Sequence, residues 1–129
     1  MGTTFWNTRV KTKQIQNNAE DPLVLVMTSL SDKKQAKVLA QSLLESRLVA
    51  CCNILPAIWS TYRWQDEICE ENECLLLMKT LRSQYSSLEV FIQTRHPYDV
   101  PELICIETDA VMQEYYLWLK QQVSPNSPC

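Results

Sequence analysis

Few side chains in this sequence are equipped for chemistry, and their spacing limits what they can do. His96 is the only histidine among the 129 residues, so the imidazole pairs that hold many zinc and copper ions cannot form within one chain. It stands in Arg95-His96-Pro97-Tyr98, at the exit of a helical pattern, where the proline fixes the turn and the ring faces a cleft or solvent. A lone loop histidine is more often a hydrogen-bonded or surface residue than a ligand. There are six cysteines. Cys51 and Cys52 are adjacent, and neighbours on a strand point to opposite faces, so the two do not readily grip one ion. Cys69 and Cys74 are an odd number of residues apart and again face apart, while Cys105 lies in an apolar strand. No zinc-type Cys or Cys/His spacing exists. A nucleophilic pair of His96 with Cys51 or Cys105 lacks any local sign of an activated thiolate or an oxyanion hole.

A second group of candidates is aromatic. Ser60, Tyr62 and Trp64 alternate with Trp59, Thr61 and Arg63, so a strand through them carries rings on both faces. Packing against neighbouring subunits is the plain reading. Aromatic rings with a polar handle also line small-molecule clefts, and Lys79 and Glu102 are placed to supply charge there.

Composition narrows the function classes. Twelve Lys and Arg against 15 Asp and Glu give a net charge of -3, which leaves no excess positive charge for a phosphate backbone. Duplex nucleic acid is not an expected partner, and an RRM-like RNA binder, which shares the element order derived below, lacks its basic flanks and its aromatic signature. The single glycine is Gly2, so glycine-rich phosphate loops are excluded from the folded part. Met1 to Asp21 has no apolar signal-like region, which points to reduced thiols and a cytoplasmic setting. No run approaches the roughly 20 apolar residues of a membrane span, and neither end carries a lipidation motif.

These residues must be held by elements that the hydrophobic periods disclose. Residues 1–20 and 124–129 are polar and aperiodic and read as flexible tails around one domain, 21–123. Leu23 to Met27 is a short apolar strand buried on both faces. Asp32, with Gln35 three residues on, caps a helix whose Ala36, Leu39, Ala40, Leu43 and Leu44 face inward. Val49 to Leu55, interrupted by Pro56 and resumed from Ala57 to Trp64, forms one limb of a long bent hairpin, with Gln65, Asp66 and Glu67 as its turn. The returning limb runs from Ile68 to Thr80 without the alternation of a half-solvated strand. Leu81, Tyr85, Leu88 and Ile92 give a second helix, Leu103 to Glu107 a short strand, and Asp109 caps a last helix with Met112, Tyr115, Tyr116 and Leu119 inward. The order βαββαβ plus a terminal helix predicts an α+β, ferredoxin-like fold: a four-stranded antiparallel sheet with helices on one face.

One mismatch of length has consequences for assembly. At about 3.3 Å per residue the returning limb extends roughly 40 Å, against about 20 Å for the first strand. Half the hairpin therefore lacks a partner in its own sheet. An uncovered apolar edge of that length invites strand pairing, which predicts a closed cyclic homo-oligomer joined along the hairpins.

A series of short motifs carries a resemblance. Ala50-Cys51-Cys52-Asn53-Ile54-Leu55-Pro56, Ser60-Thr61-Tyr62-Arg63-Trp64, Glu73 with Lys79-Thr80, His96-Pro97-Tyr98, Pro101-Glu102 and Tyr116-Leu117-Trp118-Leu119, in this order from Leu23 to Leu119, closely resemble the CutA family of divalent-cation-tolerance proteins. The resemblance implies a compact homotrimer built through the long hairpins, with clefts between subunits, similar in architecture to the PII signalling proteins. It also implies a link to copper or another divalent cation, with His96 at a position the family uses for metal. Met27 stands where a bacterial member has a cysteine and Arg95 where it has a second histidine; a thioether can hold Cu(I), whereas Arg95 brings a fixed positive charge that opposes a nearby cation. Asp66 replaces the usual turn glycine, and Asp tolerates left-handed geometry better than most residues. The expected role is non-enzymatic binding of a metal or small ligand at intersubunit clefts formed by Tyr62, Trp64, Lys79, His96, Tyr98 and Glu102. The alternatives are a PII-like sensor of a small anionic metabolite, for which Lys79 and Arg95 would supply charge, and a purely structural trimeric scaffold.

Overall fold

The computed structural model describes residues 20–123, so the two expected tails, apart from Glu20, lie outside the described residues. The first strand, β1, spans Leu23–Leu30, longer than its apolar core because Thr28 and Ser29 are carried into the sheet. Asp32 then starts α1, Lys33–Glu45, its carboxylate accepting the Gln35 N–H at 2.8 Å, as the capping pattern requires. Ala36, Leu39, Ala40 and Leu43 are buried, whereas Leu44 is 42% exposed. At 100° per residue, Leu44 lies about 80° around the helix from Ala36, past the edge of the buried stripe. The helix closes with Leu48 N–H donating to Leu43 C=O and Arg47 at φ 60°. That left-handed position usually belongs to glycine, which this sequence does not have there.

The hairpin consists of β2, Cys51–Trp64, and β3, Glu67–Leu81. Its turn is two residues, Gln65 and Asp66, both left-handed at φ 51° and 69°, the geometry that matches strand twist. Asp66 accepts the role expected of it. Glu67, expected in the turn, instead pairs with Trp64. Pro56 has no N–H for the ladder, and the register slips between Leu55 and Ile58 without ending the strand, as at a β-bulge. The Cys74 thiol donates to the Pro56 carbonyl at 3.1 Å across this point.

β1 pairs with β3 from Leu23 opposite Leu81 to Leu30 opposite Cys74, and the antiparallel sheet runs β2-β3-β1-β4. β4 is short, Ile104–Glu107, and pairs with the first half of β1. Beyond Cys74, residues Glu67 to Glu73 of β3 pair with β2 alone. Pro56 and Cys74 thus mark the line where the four-stranded sheet gives way to a projecting two-stranded ribbon.

Directly opposed residues share a face, so the register sorts the core. Cys105, Val26, Met78 and Cys52 form one row, and Leu76 and Ile54 flank it. These pack under α1 and α2, Tyr85–Arg95, through Leu39, Leu43, Leu88 and Ile92. The opposite face carries Leu25, Met27, Leu75 and Leu77, which are only half-buried. The returning limb is therefore apolar on both faces but alternates in burial, since only one face meets helices of its own chain. Leu81, expected on the second helix, ends β3 instead, and a 3-10 turn, Arg82–Gln84, intervenes before α2. The last helix, α3, Gln113–Gln122, closes one end of the open face through Leu119 against Leu23, Ala50 and Leu81. Asp109 does not cap it, and Met112 at its start is exposed. Thr108 explains the delay: its N–H and hydroxyl both donate to the Leu23 carbonyl, at 3.2 and 2.8 Å, holding the chain extended along β1 past the expected cap.

Candidate functional site

Where the ribbon leaves the sheet, it and the loop following α2 enclose an open cleft of about 960 Å³. Tyr62, Trp64, Tyr98 and Glu102 line it, together with Ser29, Cys69, Glu70, Glu71, Glu73 and Asp99 among others. Strand alternation puts Cys69, Glu71 and Glu73 of β3 on one face, and the two-residue turn brings Tyr62 diagonally opposite Glu71. The Tyr62 hydroxyl donates to Glu71 Oε1 at 2.7 Å, and the Tyr98 hydroxyl donates to Glu73 Oε2 at 2.7 Å. Both phenols become harder to ionise. The hydrogen bond to Glu71 pushes Tyr62 up to about 12, while burial, and then the bond to Glu73, raises Tyr98. Each stays a neutral donor at physiological pH, steering one carboxylate oxygen.

Glu73, which lines the cleft, is only 7% exposed. His96, expected to face a cleft or solvent, is 8% exposed and is not among the lining residues; it lies behind Ser29 and Tyr98, which are. His96 Nε2 lies 2.9 Å from the Ser29 carbonyl, and its Nδ1 accepts the Tyr98 N–H at 3.1 Å. A carbonyl only accepts and an amide N–H only donates, which assigns the neutral tautomer with the proton on Nε2. Burial lowers the proton affinity of the ring, partly offset by the Ser29 carbonyl and Glu73. The Tyr98 ring meets the imidazole edge-on at 4.8 Å. His96 in this form is a structural pivot for the Tyr98 loop. A metal could take a ring nitrogen only by breaking one of its main-chain bonds.

Lys79 is not brought to the cleft within this chain. It lies on the open face near the far end of β3, with Nζ 6.0 Å from the centre of the Tyr115 ring. Arg95 lies outside the cleft too, its guanidinium 4.5 Å from the centre of the Phe91 ring. Among the described lining residues there are five carboxylates, Glu70, Glu71, Glu73, Asp99 and Glu102, and no lysine or arginine. The cleft thus favours positive charge. Its principal acids, Glu71 and Glu73, were not singled out as site residues from the sequence. The signal available was their two-residue spacing on a limb whose register follows once the turn is placed at Gln65 and Asp66. Among the described residues no three His, Cys, Asp or Glu side chains converge as a ready metal site. The described cysteines are free, and burial pushes Cys52 up to about 12.

A ferredoxin-like sheet with an overlong β2–β3 hairpin and an acidic, aromatic cleft on it defines a narrow class of small α+β proteins. The profile of the CutA1 divalent ion tolerance protein family matches residues 24–122, and the chain belongs to that family. It is 37% identical over 97 residues to the divalent-cation tolerance protein CutA of Thermus thermophilus, covering 75% of this chain and 94% of that one. The chloroplastic protein CutA of Arabidopsis thaliana is 34% identical over 77% of this chain, which spans 54% of that relative's length. Among solved structures, CutA1 from Oryza sativa superimposes with a TM-score of 0.78 at 34% identity, covering 81% of this chain and 95% of its own. No helix among the described residues is long and apolar enough to cross a membrane.

Proposed function

We propose that this chain acts as a non-enzymatic, cytoplasmic homotrimer that takes up a divalent cation, copper among them, or a small ligand in its clefts, completed by neighbouring subunits. The observation that carries the reading is the cleft itself, which five carboxylates and three aromatic residues line without a compensating lysine or arginine among the described residues. The family name, divalent ion tolerance protein, agrees in the sign of the charge. Weak, partly hydrated binding suits the geometry, because Glu71 and Glu73 each give one oxygen to a tyrosine and His96 is tied to main chain at both nitrogens. A non-catalytic role is supported by the same groups. The imidazole is held by its neighbours, and burial raises the proton affinity of the Cys52 and Cys105 thiols, which suppresses nucleophilic thiolate.

Assembly is supported by two features of the isolated chain. The outer ribbon offers unpaired strand edge, and the open sheet face presents Leu55, Ile104 and Ile106 beside the half-buried Leu25, Met27, Leu75 and Leu77. An apolar patch of this kind marks an interface. The anionic-metabolite alternative has less support, since Lys79 and Arg95 lie away from the acidic cleft. Light scattering at micromolar concentration should give the mass of three chains, and calorimetry should show copper binding that Glu73→Gln weakens. A monomeric mass removes the shared clefts, and copper binding unchanged by Glu73→Gln removes this cleft as its place. A trimer that binds neither copper nor any small ligand is the scaffold alternative.

A further inference from the structure

A bare metal ion uses little of what the cleft offers. Its volume of about 960 Å³ far exceeds one ion, and no three metal-binding side chains converge among the described residues. Trp64 and Tyr62 line the cleft and are 47% and 38% exposed in the single chain, so each presents ring surface toward the cleft that its own chain does not cover. Aromatic rings attract organic cations through the negative potential of their faces. Glu71 and Glu73 are two positions apart on one face of β3, hence about 6.8 Å apart along the strand. That spacing is close to the reach of a short aliphatic diamine. Each carboxylate is already oriented by a tyrosine hydroxyl on one oxygen, a geometry that suits an N–H donor approaching the remaining lone pairs better than an ion demanding a complete shell. Glu73, almost wholly buried, gives one such charge a strong field.

We propose that the cleft recognises an organic ammonium, a short diamine or polyamine, with Glu71 and Glu73 accepting from successive ammonium groups and Trp64 and Tyr62 covering the methylene chain and charge. This rests on the reading of the cleft as the cation site and names the class of ligand. Alkyl ammonium groups stay protonated at neutral pH, as the lysine side chain does, so no proton transfer accompanies binding.

The test is calorimetry on the intact full-length protein, at low and at physiological salt, with putrescine, spermidine and copper sulfate as separate probes. Putrescine should give a saturable isotherm with one site per cleft. Trp64→Ala should weaken it about five-fold, within the range for a lost cation–π contact. Glu73→Gln should weaken it about ten-fold by loss of a charge-assisted bond. Should Glu73→Gln fail to fold by circular dichroism, Glu71→Gln, on the more exposed part of the ribbon, carries the same expectation. Putrescine binding that is absent, or equally strong in Trp64→Ala and the Glu→Gln variants, overturns the proposal, the latter as general attraction to an acidic protein. Copper binding that responds to Glu73→Gln without putrescine binding leaves the cation-cleft reading standing and sinks the diamine. If neither probe binds, both fall.

Discussion

The part of the β2–β3 ribbon that lies against β1 and the part that projects beyond it belong to one continuous pair of strands, yet their sequences do opposite work. In the inner part Cys74, Leu76 and Met78 are buried under two helices, with Leu43, Leu88 and Ile92 facing them. In the outer part Trp59, Tyr62, Trp64 and Ile68 remain exposed and the charged Glu67, Glu70 and Glu71 stand between them. The inner ribbon is stabilised by area removed from water within its own chain. The outer ribbon, with two strands and no helix, falls below what a β element needs for independent stability. Its exposed rings and strand edge are surface of the kind that a partner or a ligand covers. Glu73, the first residue of β3 beyond the boundary, lines the cleft with Tyr62, Trp64 and Cys69 of the outer ribbon, so the site lies on the part of the hairpin that its own sheet does not cover.

The comparison can be broken most directly by truncating one apolar side chain on each side of the boundary. Leu76→Ala should cost about 2–5 kcal/mol in urea unfolding, the range for a cavity in a packed core. Trp59→Ala, 61% exposed, should leave the far-ultraviolet spectrum intact and act on the mass seen by light scattering. A loss of stability at Trp59 as large as at Leu76, with unchanged mass, would make the two parts one cooperative unit. A smaller effect sharpens the account of the inner sheet. Among the described residues Thr28 Oγ1 is a buried side-chain oxygen without a hydrogen-bond partner. Thr28→Val, nearly the same shape, should therefore raise stability by about 1 kcal/mol, and a loss of that size would mean the hydroxyl is satisfied in solution.

The smallest expected effect concerns the junction between the parts. Burial lowers the proton affinity of His96 below the usual 6.5, so the unfolded chain binds more protons than the folded one in that range. Stability should then be full above the unfolded value and decline as pH falls through about 6.5. Urea midpoints between about pH 7.5 and 5.5 should show this decline, and His96→Gln should remove its share. A slope unaltered by the substitution would assign the effect to other groups.

Much of this architecture was readable from residue types. The capping of α1 by Asp32, the breadth of the hairpin and the interruption at Pro56 follow from local chemistry, because a proline lacks an N–H and a carboxylate at a helix start finds an orphan donor whatever surrounds it; the left-handed Asp66 was expected from the turn glycine that the family resemblance implies at that place. The errors fell where local patterns met long-range contacts. Leu81 continues the helical spacing of Tyr85 and Leu88 but is held in β3 opposite Leu23. Asp109 looks like a cap, yet the bonds from Thr108 to Leu23 keep the chain extended beyond it. The site divided in the same way. Tyr62, Trp64, Tyr98 and Glu102 converge on one cleft, while Lys79 lies near Tyr115 at the other end of its strand.

The sequence by itself determined the order of elements, the excess of β-ribbon over the first strand and the scarcity of metal-binding side chains, since these depend on period, length and count. Only the tertiary structure decided that His96 spends both nitrogens on main chain and that Glu71 and Glu73 are each taken up by a tyrosine. Hydrogen bonds between residues 9, 25 and 67 positions apart depend on strand register and on the path of one loop, and neither is written in any local run of residues.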